Sequence, residues 1–255
     1  MDLPQSAIKN LAAVSVRSGG GDTLPVSETF HSIQGEGKLT GVPSFFIRIS
    51  GCNLRCGWCD TPYASWNPDG GPMAISELIG LAVASGARHT VVTGGEPMLF
   101  PHVVKLCEGL RHAGLHITIE TAGTIWREVP HDLMSISPKL SNSTPQLGDP
   151  RDPGGGWRDR HEQRRINLAA LQSLIDGAGE IQLKFVVATP EDLPEVERLL
   201  SKLRGWKPTD ILLMPEGVTV PPPGAMDWIV RECVARSWRL CPRLHVQLFG
   251  NTRGT

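Results

Sequence analysis

Cys52, Cys56 and Cys59 lie in one stretch, Cys52-Asn-Leu-Arg-Cys56-Gly-Trp-Cys59-Asp60-Thr61, with three and then two residues between them. Thiolates at this spacing can hold three irons of a 4Fe-4S cluster, and with no fourth cysteine nearby one iron is left open for chemistry. The same residues could bind structural zinc, which fills four positions with protein ligands, and spacing alone does not separate the two. A second motif, Thr93-Gly94-Gly95-Glu96-Pro97, follows the next strand-like segment. Paired glycines let backbone approach a ligand closely, and a glutamate there can accept a hydrogen bond from an ammonium group.

Both motifs sit where a strand ends. Ser44 to Ser50 runs into Gly51 and Cys52, and Thr90 to Thr93 runs into Gly94; the helix-spaced apolar residues of Ala74 to Ser85 lie between them. The alternation continues with a helix over 102–112, strands over 116–120 and 133–137, a helix over 165–175 and a strand over 181–187. A helix over 193–203, a strand over 210–214, a helix over 225–237 and a last strand over 243–248 complete it. This rhythm predicts an α/β fold with a parallel sheet, a complete or partial (β/α) barrel, whose sites gather at the carboxyl ends of the strands. Residues 141–164, rich in Pro, Gly and charge, read as a long loop excursion from a single domain spanning 1–255.

The chain has 255 residues, is 40% hydrophobic and carries a net charge of −1. Mixed charge without a basic stripe argues against nucleic acid and favours a small-molecule partner. No apolar run, in Met1 to Gly21 or later, is long enough to span a membrane, so a cytoplasmic setting is expected. Cys107, Cys233 and Cys241 stand among apolar residues and are expected to be small buried hydrophobes. The histidines lack ligand spacing beside acids and read mostly as surface or packing residues.

The triplet followed one β/α unit later by Gly-Gly-Glu-Pro resembles the radical S-adenosylmethionine superfamily. That resemblance implies Cys52, Cys56 and Cys59 as cluster ligands, Trp58 near the adenine, and Gly95 with Glu96 at the methionyl ammonium. Upstream, Glu28-Thr-Phe30-His-Ser-Ile33-Gln34-Gly35-Glu36-Gly37, Thr40 through Arg48 to Cys52, and Cys59-Asp60-Thr61 together are similar to the 7-carboxy-7-deazaguanine synthases. This second resemblance covers most of the chain. It implies ring contraction of 6-carboxy-5,6,7,8-tetrahydropterin with loss of ammonia, on the way to the 7-deazapurine queuosine.

Further contacts follow from it. Ile33, Gln34, Gly35, Arg48, Thr93 and the tail's last residue, Thr255, are expected at the substrate, with Arg48 suited to a carboxylate through its planar fork. Asp60, Ser137, Lys139, Met214 and Glu216 join Trp58, Cys59, Gly95 and Glu96 as expected cofactor contacts. Thr61, on its own an ordinary turn or cap residue, is expected to ligate Mg2+, which keeps waters and takes few protein oxygens. A flavodoxin or ferredoxin as reductant and a homodimer complete what the resemblance implies. A glycyl-radical activating enzyme and a structural zinc module are the competing readings; a large protein partner would favour the first, and a colourless protein the second.

Overall fold

Within each strand, the alternation of side chains divides residues that pack under helices from residues that face the site. The computed structural model describes residues 22–255, so the expectation for Met1 to Gly21 lies outside the described residues. The strands are β1 (Thr23–Ile33), β2 (Pro43–Ile49), β3 (Gly71–Ala74), β4 (His89–Gly94), β5 (His116–Thr121), β6 (Leu133–Ile136), β7 (Ile181–Val187), β8 (Ile211–Pro215) and β9 (Arg239–Leu240). They form one sheet in the order β3-β1-β2-β4-β5-β6-β7-β8-β9. β1 pairs antiparallel with β2 and β3, and the pairs from β2–β4 through to β8–β9 are parallel. The two edges do not meet, so this is the expected partial barrel.

The outer side is covered by α1 (Ile75–Ala84), α2 (Val103–His112), α4 (Leu168–Asp176), α5 (Leu193–Leu200) and α6 (Asp227–Arg236), while α3 (Gly156–Arg164) adds nothing to the apolar core beneath them and packs against the cysteine loop. Ile47 and Ile49 of β2, Val92 of β4, Ile117 and Ile119 of β5, Leu183 and Phe185 of β7 and Leu213 of β8 join one apolar core with the helices. Their neighbours on the opposite face line the barrel interior, and many are polar. At the amino-terminal end His89 bridges the hydroxyls of Ser44 and Thr118, each at 2.7 Å. Nearer the carboxyl end stand Arg48, Thr93, Glu120 and Lys184, on strands β2, β4, β5 and β7. Charged residues in otherwise apolar strands mark the inward positions.

The open side of the barrel is closed by side chains and turns. After β1 the chain crosses to the far strands, where the Lys38 amide donates to Gln182 Oε1 at 2.7 Å, the Gly37 amide donates to Cys241 Sγ at 3.1 Å and the Lys38 ammonium meets Asp210 at 2.9 Å. A Cβ on Gly37, whose φ is +78°, would stand 2.3 Å from the Gln182 amide. Glycine is required by both conformation and space.

Three expectations need correction. Residues 243–248, expected as a strand, form part of helix α7 (Leu244–Phe249). Their period-2 pattern buries Val246 while Leu248 stays exposed, and the Leu244 amide bonds to Gly35 O at 2.9 Å instead of joining a ladder. The sheet's last strand is the short β9. The excursion is not all loop, because α3 occupies Gly156–Arg164, with Asp152 Oδ2 accepting the first-turn amides of Trp157 and Arg158 at 2.9 and 3.2 Å. The helix expected from 165 begins at Leu168, where the Asn167 side chain caps the Ala170 amide at 3.2 Å. β1 and β3, on the antiparallel side, fall outside the β/α rhythm of the sequence. Cys107, Cys233 and Cys241 are buried, as expected.

Candidate active site

A cavity of about 280 Å3 opens at the carboxyl ends of the strands. Fifteen of the residues singled out from sequence line it: Cys52, Cys56, Trp58, Cys59, Asp60 and Thr61 from the loop after β2; Thr93 near the end of β4 and Gly95 just after it; Ser137 and Lys139 after β6; Ile33, Gln34, Arg48, Met214 and Thr255 elsewhere. Gly35, Glu96 and Glu216 do not line it.

The cysteine loop and the Gly-Gly-Glu-Pro loop are stitched together by backbone. The Gly95 amide donates to Ile49 O and the Glu96 amide to Gly51 O, both at 2.9 Å. A Cβ on Gly94 (φ +137°) would lie 2.1 Å from Ile49 O, and one on Gly95 would lie 2.2 Å from Gly51 O. The glycine doublet therefore permits the approach of one loop to the other. Glu96 is fully buried, and its carboxylate accepts from the Met98 and Ala122 amides at 3.0 and 2.8 Å and from the Thr121 hydroxyl at 2.8 Å. Burial pushes its carboxyl up, against the pull of these hydrogen bonds. It ties the rim after β5 to the rim after β4.

The cysteines suit an iron-sulfur cluster. Three cysteines line the cavity, Cys52, Cys56 and Cys59, which is the thiolate set that three irons of a 4Fe-4S cluster would take. Burial, with Glu96 adding to it, pushes the Cys52 thiol up to about 12, and burial pushes the Cys56 thiol up as well. These thiols ionise readily only when a cationic group arrives to ligate them. Thr61 precedes a short 3-10 turn, but its hydroxyl makes no capping bond and lies 3.8 Å from Cys59 Sγ. Lys139 donates to the Ser137 carbonyl and hydroxyl at 2.9 and 2.8 Å and stands 5.7 Å from the Trp58 ring.

The opposite wall combines an aromatic slab with polar groups. Phe30 and Phe46 stack at 4.7 Å, nearly parallel. Beside them Arg48 donates through Nε to Glu28 at 2.6 Å, which leaves its two Nη groups for a ligand. Glu120 accepts from Thr93 at 2.7 Å and from Gln34 at 3.3 Å.

Sequence reasoning missed several residues here. Glu36 pairs with the Lys184 ammonium and with Arg243, and Arg243 also bonds Asp60 and the Gly217 carbonyl. Burial alone would raise the Glu36 carboxyl, but Lys184, then Arg243 and His245, hold it well below the usual carboxylate range. Glu36, followed by Glu120, likewise outweighs burial and raises the Lys184 ammonium. His245 packs against Gly35, where a Cβ would clash with its ring at 2.1 Å. Tyr63, the only tyrosine, donates to Glu28 at 2.9 Å and carries the Arg253 guanidinium 4.1 Å from its ring. The available signals were a lysine in the apolar run of β7 and a lone tyrosine just after the cysteines.

An open parallel barrel with a three-thiol loop after its first parallel strand defines the radical S-adenosylmethionine class, and residues 46–138 match the Radical SAM superfamily. The chain is 44% identical to a 7-carboxy-7-deazaguanine synthase of Rhodopirellula baltica over 91% of its own length and 89% of the relative's. It is 43% identical to one of Halobacterium salinarum over 93% and 95%. The crystal structure of QueE from Escherichia coli superposes with a TM-score of 0.66 at 27% identity, covering 88% of this chain and 95% of that one. The chain belongs to the 7-carboxy-7-deazaguanine synthase family.

Proposed function

We propose that this chain converts 6-carboxy-5,6,7,8-tetrahydropterin to 7-carboxy-7-deazaguanine and ammonia, supplying a 7-deazapurine precursor of queuosine. The observation that carries this reading is one cavity with three cysteine thiols on one wall and, on the other, an aromatic slab, an arginine and a Gln34–Glu120–Thr93 hydrogen-bonding set. A flat bicyclic ring with a carboxylate matches that second wall. When bound, the cluster and S-adenosylmethionine supply a 5′-deoxyadenosyl radical by one-electron cleavage.

The chain's own part is to bind, orient and exclude water. Cys52, Cys56 and Cys59 would hold the cluster, and Trp58, Asp60, Gly95, Ser137, Lys139 and Met214, which line the same cavity, would meet the cofactor. Arg48 would grip the substrate carboxylate through its Nη groups, while Gln34, Thr93 and Glu120 meet ring donors and acceptors, so that the reacting carbon is fixed before hydrogen is abstracted. Thr61, with its uncapped hydroxyl at the cavity, would give Mg2+ one protein oxygen, the others coming from water and substrate. Glu96 supports the rim from behind. Glu216 and Gly35 act, on this reading, through backbone and packing. A flavodoxin or ferredoxin would deliver the electron, and a homodimer in the cytoplasm is the expected form; among the described residues no helix is long and apolar enough to cross a membrane.

The test is anaerobic turnover of the reconstituted protein with dithionite, S-adenosylmethionine, Mg2+ and 6-carboxytetrahydropterin, followed by mass spectrometry. Formation of 7-carboxy-7-deazaguanine is expected. Accumulation of 5′-deoxyadenosine without it would refute the substrate and keep the class.

A further inference from the structure

The segment 141–165 grips the loop that carries the cysteines, and it does so on both sides of Cys56. On one side, the Arg55 amide donates to His161 Nδ1 at 3.2 Å. On the other, the Gly57 amide donates to Ser143 O at 2.8 Å and the Gly57 carbonyl accepts from Arg151 Nη2 at 2.7 Å. Side chains add to the grip: the Arg55 guanidinium lies 4.1 Å from the Trp157 ring, and that of Arg151 lies 4.3 Å from Trp66.

His161 is the inner peg of this clamp. It is fully buried on α3, and so is Ser143. The Ser143 hydroxyl donates its proton to Leu140 O at 2.6 Å, so toward His161 Nε2, at 2.9 Å, it can only accept. Nε2 therefore carries the hydrogen and Nδ1 keeps the lone pair that receives the Arg55 amide. Both ring nitrogens are used, and the imidazole is neutral in a single tautomer.

We infer that His161 is a positioning residue for the cluster loop: by engaging the Arg55 amide it fixes the backbone that presents Cys56, and it keeps that amide from turning toward the cluster's sulfur atoms. The inference rests on the reading of Cys52, Cys56 and Cys59 as cluster ligands. Hydrogen bonds to sulfur raise a cluster's reduction potential, so an amide held elsewhere favours the low potential that reductive cleavage demands. Groups that orient ligands from behind typically change metal affinity about 10–100-fold when removed.

The test compares wild type with His161→Leu, which can neither accept from Arg55 nor donate to Ser143, and with His161→Gln, which can do both. Amide hydrogen exchange across 53–59 in the apo-protein, the rate of iron loss to a ferrous chelator, and the cluster midpoint potential by redox titration are measured together. In His161→Leu we expect faster exchange at Arg55, iron loss about tenfold faster or more and a raised potential, with His161→Gln returning all three toward wild type. Unchanged exchange and iron loss within twofold of wild type in a folded His161→Leu would overturn the inference. So would equal defects in His161→Gln, since the peg would then be a matter of packing. If His161→Leu does not fold, Arg151→Ala takes its place, with faster exchange at 57–58 expected and unchanged exchange overturning the clamp. If wild type takes up no iron, the cluster reading falls, and the exchange measurements still decide the clamp.

Discussion

The two walls of the cavity are built in opposite ways. The cysteine wall comes from one short stretch, Cys52 to Thr61, backed by the next β/α unit through glycine-to-backbone contacts. The facing wall joins Phe46, Arg48, Thr93 and Glu120 of β2, β4 and β5 to the two ends of the described chain, Glu28 to Gly37 on one side and Arg243 to Thr255 on the other, with Lys184 between them. The first has its ligands on one short loop, held through hydrogen bonds to that loop's backbone by the Gly94-Gly95 turn and the 141–165 segment, and the second is held by ion pairs across large sequence separations. A local wall concentrates chemistry in few atoms. A long-range wall ties substrate recognition to completion of the fold.

The sharpest break between the walls should come from Cys56→Ala. Loss of one ligand is expected to abolish the cluster absorbance and turnover together, a fall of at least about 10³-fold in kcat/KM, while the apo-protein keeps the wild-type unfolding transition. Iron content and circular dichroism on one sample check both halves. Full turnover in this variant would remove the cysteine wall from the mechanism.

The facing wall should fail in stability first. Glu36→Gln leaves Lys184 buried beside a neutral partner, and breaking one side of a buried pair costs about 3–5 kcal/mol. Urea unfolding at pH 7 measures it, with little effect expected on how firmly the cluster is held. The pH dependence follows the same pair. The folded Glu36 carboxyl titrates below its unfolded value, so its contribution is complete above the unfolded pKa of about 4.3 and is lost as pH falls toward the lower folded value. Wild type should lose stability below about pH 4.3 more steeply than Glu36→Gln does. Parallel acid curves would mean that the pair contributes nothing to folding.

These walls also differ in how much of them the sequence discloses. A metal-binding loop needs its ligands at fixed short spacing, so the cysteines and Gly94-Gly95 are legible in order, and the strands that aim them carry a clear β/α rhythm. Glu36, Lys184 and Arg243 meet only after the barrel has curved, and their separations in the chain have no fixed period. Lys184 is the readable member, a charge within Ile181–Val187, but nothing in the local sequence names its partner, because the turn after β1 crosses the open side only in the folded chain. The tail misled for a related reason. Leu244, Val246 and Leu248 alternate as in a strand, yet the neighbouring edge already belongs to β9, and the segment coils into a helix above Gly35.

Thr61 lies where the walls meet, so its replacement should divide their functions. In Thr61→Ala the cluster spectrum and the cleavage of S-adenosylmethionine are expected to persist, while product formation falls by about tenfold at limiting Mg2+ and recovers in part as Mg2+ is raised. Mg2+ titration of product formation, set against 5′-deoxyadenosine release, separates the outcomes. Loss of the cluster in this variant would instead assign Thr61 to the cysteine wall as a structural residue.

The smallest effect is expected from Arg253→Ala, at the outermost tie of the facing wall. Arg253 reaches Glu28 at 3.0 Å and Asp69 at 2.8 Å, but it is largely exposed, and exposed pairs are screened by water and salt. Global stability should hardly move. What the residue fixes is the position of Asn251 to Thr255 against Tyr63 and the cavity mouth. A loosened tail should weaken substrate binding more than the chemical step, raising KM roughly severalfold with kcat little changed, and raising salt in wild type should move KM in the same direction. A change in kcat alone would mean that the tail acts on the reaction itself, and the long-range wall would then share in the chemistry assigned here to the cysteine loop.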